Sequence, residues 1–140
     1  MSEIPVVSLE EAQRQVSFSI PQPTDLPAGV VLKGAHVLPQ NNWVQTFYGL
    51  PNQPGGLAIE TIQGPPDSNY IFPDTARQPV RVNDQSAECI QGAWDEQDEW
   101  RSEADVVTLE WSAGRFFYHM QASDLDLDCA ALIEIAASLE

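Results

Sequence analysis

The chain has 140 residues, 43% of them apolar, and its 21 Asp and Glu against 6 Lys and Arg give a formal charge of −15. That is one domain's worth of chain, and with four Trp, three Tyr and five Phe it can bury a core, which excludes wholesale disorder. Six scattered cations cannot form the basic stripe that a nucleic acid requires, and anionic membrane surfaces are disfavoured for the same reason.

The first predicted element is a short helix over residues 9–16. Ser8-Leu9-Glu10-Glu11 has the form of a capping box, and Leu9, Ala12 and Val16 share one face. Residues 18–29 follow as a Pro-rich, extended lead-in, because Pro21, Pro23 and Pro27 forbid helix. Short apolar runs at residues 30–38, 43–49 and 57–63, separated by Pro, Asn and Gly clusters, predict three strands of an antiparallel meander. Residues 64–79 contain four prolines and no usable period, and they are expected to form a long loop, anchored by Tyr70, Ile71 and Phe72.

Val80-Arg81-Val82, Asn83-Asp84 and residues 85–94 predict a hairpin, with Ala87, Cys89, Gln91 and Ala93 facing one way and Ser86, Glu88, Ile90 and Trp94 the other. Residues 95–105 hold six carboxylates and one Arg, and are expected to be a solvated, repulsive hairpin connection. Residues 106–111 and 115–121 flank Ser112-Ala113-Gly114 as the clearest hairpin. Phe116 and Phe117 must point to opposite faces, so one of them needs cover from helix, loop or ligand. A final helix is expected over residues 123–139, capped by Ser123 or Asp124, with Leu125, Cys129, Leu132, Ala136 and Leu139 as its apolar stripe.

The predicted class is therefore α+β: a single domain over residues 1–140, with one curved antiparallel sheet of about six or seven strands packed by an N-terminal and a C-terminal helix. The acids are uneven. Residues 1–86 carry 8 acids and 4 bases, and residues 87–140 carry 13 acids and 2 bases. No run approaches the roughly 20 apolar residues that span a bilayer, and MSEIPVV lacks the regions of a secretory signal, so the expectation is a soluble chain that does not insert in a membrane.

In order along the chain, Val7-Ser8-Leu9-Glu10-Glu11-Ala12, Leu26-Pro27-Ala28-Gly29, the strand with Tyr48, Val82-Asn83-Asp84-Gln85-Ser86-Ala87 and Leu109-Glu110-Trp111 before Gly114 resemble the bacterial domain-of-unknown-function family 4367. The resemblance spans nearly the whole chain and rests on the order of short motifs. Asp84 stands where that family has Gly, and Asp tolerates the left-handed backbone better than most residues. The resemblance implies an extracytoplasmic domain, similar to parts of membrane-tethered anti-sigma-factor-like or lipoprotein-like chains, with a lipoprotein-carrier-like sheet. It implies no catalytic residues and no cofactor.

The chemistry-bearing residues are few. His36 and His119 with Cys89 and Cys129 lack the short spacing of a zinc site, and the acidic run lacks the glycine of a calcium loop, so no metal is expected. No nucleophile elbow or phosphate-cradling loop is present, and a small hydrolase built on Cys or acidic residues is the weakest reading. Cys89 and Cys129 allow one disulfide at most. Helix-on-sheet packing could join them, an extracytoplasmic setting would permit it, and two buried thiols are the other outcome. The functional expectation is a monomeric, non-catalytic recognition or sensing module of the bacterial cell envelope, meeting an unknown protein through Tyr70, Ile71 and Phe72. The alternative is a carrier of a small apolar ligand, such as a lipid acyl chain, between the curved sheet and a helix.

Overall fold

The computed structural model describes residues 5–64 and 72–140, and it is α+β, with one open seven-stranded antiparallel sheet and two helices. Helix α1 (Leu9–Gln15) starts where Ser8 accepts a hydrogen bond from the Glu11 amide. Strands β1 (Val31–Leu38), β2 (Trp43–Gly49) and β3 (Gly56–Gln63) form the expected meander. Strands β4 (Arg77–Val82) and β5 (Gln85–Gln91) form a hairpin, as do β8 (Val106–Ala113) and β9 (Phe116–Ser123). Between these hairpins, β6 (Ala93–Trp94) and β7 (Trp100–Arg101) make a small ribbon of their own. Helix α2 (Cys129–Ala137) ends the chain. The sheet order is β1-β2-β3-β9-β8-β5-β4, so the last hairpin is inserted between the meander and the first hairpin.

Register assigns the faces. Ile59 lies opposite Met120, Met120 opposite Leu109 and Leu109 opposite Cys89, and all four are buried. This inner face carries both cores. Leu132, Ile135 and Ala136 of α2 pack on it with Val107, Leu109, Met120 and Cys89, while Ala12 of α1 packs with Phe18, Ile20, Ala35, Val37 and Val44 towards the β1 edge. A disulfide between Cys89 and Cys129 ties the first turn of α2 to β5. Phe116 and Phe117 do divide between the faces: Phe116 meets Phe18 edge-on within the α1 core, and Phe117 is buried on the outer side.

Four boundaries differ from expectation. The predicted long loop over 64–79 ends early, because Asp74–Ala76 is a 3-10 turn and Arg77, Gln78 and Pro79 are already paired with Ile90, Cys89 and Glu88. A proline is tolerated there because β4 is an edge strand. The strand expected to run to Trp94 breaks at Gly92, whose φ of +113 is glycine territory and where a Cβ would meet the Arg101 carbonyl oxygen at 2.4 Å. The acidic connection over 95–105 holds β7 and is ordered. The final helix does not start at Ser123 or Asp124. Ser123 ends β9, Asp124 and Asp126 adopt positive φ, and Asp128 is the cap, accepting from the Ala131 amide at 2.9 Å. In the Val82–Gln85 turn it is Asn83 (φ 53), rather than Asp84, that takes the left-handed conformation.

The edges are unequal. On β1, Val7 exchanges two backbone hydrogen bonds with Ala35, while Val31 and Leu32 remain exposed. On β4, Pro79 offers no N–H and Arg77 and Arg81 flank it, the usual protection of a free edge. Among the described residues, no helix is long and apolar enough to cross a membrane.

Candidate functional site on the outer face

Because strand side chains alternate, the neighbours of the inner-face core point outward. Glu88, Glu110, His119 and Glu60 stand side by side in register across β5, β8, β9 and β3. His119 and Glu110 are buried, 3% and 8% exposed, and their Nδ1 and Oε2 atoms lie 2.9 Å apart. Arg77, at the start of β4, brings Nη1 to 3.3 Å from Glu88 Oε1 and 3.9 Å from Glu110 Oε1. A carboxylate taken out of water needs such partners, since a lone buried charge would be strongly destabilising.

The guanidinium of Arg77 also sits over the Phe72 ring, 5.3 Å from its centroid. Phe72 meets Trp100 edge-on at 6.2 Å, and Trp100 meets Trp94 edge-on at 5.3 Å. These are preferred aromatic geometries. The result is a continuous path of contacts from the buried His119–Glu110 pair through Arg77 and Phe72 to Trp94, which is 47% exposed. Beside it lies an open groove of about 710 Å³, lined by Arg77, Ser86, Glu88, Glu110, Ser112 and Phe117.

Strands β6 and β7 present Trp94 because Asp95 organises the turn between them. Its carboxylate accepts from the Gln97 and Glu99 amides at 2.8 and 2.9 Å and from Arg101 Nε at 2.6 Å. The Glu99 amide first, then Arg101 and the Gln97 amide, hold the Asp95 carboxyl below its ordinary pKa of 3.8. A carboxylate whose folded pKa is lowered stabilises the fold above its ordinary pKa and loses that effect as pH falls through the lowered value. The ribbon is therefore expected to loosen below about pH 3.8, while α2 stays docked. Near-ultraviolet circular dichroism of the Trp94–Trp100 pair checks this, with Asp95→Ala predicted to give the same spectral loss at neutral pH.

Of the residues expected from sequence, Phe72 is part of this site, whereas Tyr70 and Ile71 lie outside the described residues. Cys89 and Cys129 are on the other face and bonded to each other, which takes both thiols out of any Cys/His nucleophile or Cys2His2 set. Sequence reasoning missed Arg77, Trp94 and Trp100. The available signal was a pair of tryptophans bracketing Asp95-Glu96-Gln97-Asp98-Glu99, the pattern of a cross-strand aromatic pair closing a polar turn. No protein-family model matches the chain, and neither a curated protein nor a solved structure matches it.

Proposed function

We propose that the chain is a non-catalytic recognition module of the bacterial cell envelope, acting as a monomer, whose partner protein docks on the outer face across Phe72, Arg77 and Trp94. The observation that carries this reading is Trp94: a large exposed indole, backed by Trp100 and Phe72 and so restrained before any partner arrives. Rigid aromatic anchors beside an arginine are the composition of energetic hot spots. A charge of −15 selects a partner whose docking face is neutral or basic. The Cys89–Cys129 bond supports an oxidising, extracytoplasmic setting, which is also what the resemblance of the chain's short motifs to domain-of-unknown-function family 4367 implies. The reading involves no cofactor.

A carrier of a lipid acyl chain is the second reading. It is favoured by a cleft beside the C-terminal end of α2. Beneath the helix itself, however, Leu132, Ile135 and Ala136 occupy the space where a chain would lie.

The test is photocrosslinking in producing cells with benzoylphenylalanine at position 94, and at Leu32 on the far sheet edge as a control. A discrete adduct from position 94 that Phe72→Ala abolishes is expected. Adducts from position 32 alone would place the partner elsewhere. Native mass spectrometry of the purified protein is expected to give the bare chain less two hydrogens, and a retained lipid would move the assignment to the carrier.

A further inference from the structure

A second cavity lies on the opposite face from the proposed partner surface, where the two inner-face cores meet. It is a cleft of about 300 Å³ between the sheet, the Val82–Gln85 turn, the Pro-rich lead-in and the end of the chain. Its floor is a column of rings. Trp111 and Tyr118, opposite one another on β8 and β9, stack at 5.0 Å with 21° between their planes. Phe116 continues the column at 6.2 Å from Tyr118, and Phe18 closes it edge-on at 5.3 Å from Phe116.

The rim is made of two segments held to each other. Gln22 and Glu140 exchange backbone hydrogen bonds at 3.0 Å in both directions, and Thr24 bonds to Ser138 through both its amide and its hydroxyl. Asn83 and Gln85 lie along one wall, and Leu139 and Glu140 form the other.

We propose that this cleft is a binding site for one small, uncharged ring compound, packed face-on against the ring edges of the Trp111–Tyr118–Phe116 column with its polar substituent towards Asn83 and Gln85. The volume sits at the lower end of the range for small-molecule sites, and the lining mixes apolar side chains with Ser19, Thr61, Asn83 and Gln85, which suits a ring that carries a polar substituent. A row of ring edges favours a rigid planar or alicyclic occupant in edge-to-face contact over a flexible chain, which would lose rotational freedom on ordering. Charge narrows the class further. No Lys or Arg lines the cleft and Glu140 does, so an anionic headgroup would enter without a counter-charge. Burial raises the Tyr118 phenol above its ordinary pKa of 10.0, so it too stays neutral at physiological pH. Phe72, Arg77 and Trp94 of the proposed partner surface do not line this cleft, although Gln85 and Trp111 line both it and the outer groove beside that surface.

The experiment is a fluorescence titration of the full chain with N-phenyl-1-naphthylamine, a neutral two-ring probe. Saturable binding of one equivalent is expected. Ala113→Phe, which fills the cleft from β8, is expected to weaken it about tenfold or more, and Leu32→Ala on the distant edge to leave it unchanged. Dodecanoate, an anionic acyl chain, is expected not to displace the probe. Non-saturable binding, full affinity in Ala113→Phe, or displacement by dodecanoate would each overturn the proposal. Should Ala113→Phe fail to fold, amide chemical-shift changes in the unmodified chain on adding indole decide the matter: shifts at Asn83, Gln85 and Leu139 support the site, and shifts confined to other residues overturn it.

Discussion

Replacement of both Cys89 and Cys129 by alanine is expected to lower the stability of the fold by about 4 kcal/mol, the chain-entropy value for a bridge closing a loop of this size. The bonded residues are 40 apart in sequence, and the enclosed segment includes β6, β7, β8 and β9. Without the bond the unfolded chain regains the freedom of that loop, while the folded chain keeps its sheet pairing. The structural cost concentrates on α2, a helix of nine residues, too short to persist without tertiary support. The midpoint of urea unfolding checks the value, and the melting temperature is expected to fall by on the order of 10 °C. Reducing agent should bring the unmodified protein close to the variant and leave the variant unaffected. Equal stability of the oxidised, reduced and substituted forms would show that the bridge constrains nothing.

Leu132→Ala is expected to cost about 3–4 kcal/mol, in the range for truncating a fully buried leucine where the surroundings relax only in part. Leu132 has no solvent exposure and belongs to the same core as Cys89, Val107, Leu109 and Met120. The neighbours most able to collapse into the space are on α2 itself, because the β8 and β9 residues are fixed by pairing on both sides. Since the disulfide and Leu132 both hold α2 against the sheet, their losses are expected not to add. The triple variant should fall short of the sum by about 1 kcal/mol or more, the usual scale for residues sharing an element. Additive losses in equilibrium unfolding would mean that helix and bridge act separately.

Those two residues illustrate how far the sequence carries. Leu132 on an apolar helical stripe, Leu109 and Met120 in alternating strands, and the capping box at Ser8 follow from local periodicity, and the class of fold with them. The start of α2 does not. Ser123-Asp124-Leu125-Asp126-Leu127-Asp128 contains Ser123 followed by Asp at 124, 126 and 128, each a competent cap, and only the pairing of β9 with β3 and β8 shows that the chain is still extended at Ser123. The outer-face site was hidden for a related reason. Glu110 and His119 face each other within the β8–β9 hairpin, but Arg77 reaches them only because the β4–β5 hairpin pairs with β8, an order that no local pattern encodes. Ile90 and Thr108, fully buried on the same face, likewise depend on long-range cover. The acidic run 95–105 is the solvated hairpin connection that its composition suggests, but counting charges gives only repulsion, whereas Asp95 is satisfied by two amides and Arg101.

The position of the last hairpin within the sheet also has a consequence for synthesis. Nothing pairs β3 with β4 or β5; the meander and the first hairpin are joined only through β8 and β9. A ribosome delivers residues 106–123 after everything they must bridge, so the nascent chain holds two unfinished half-sheets until most of its length has emerged. Strand pairings of such long sequence separation are slow to form. The late insertion makes cooperative closure of the sheet wait on its central strands, so the two half-sheets have no shared core until residues 106–123 are in place.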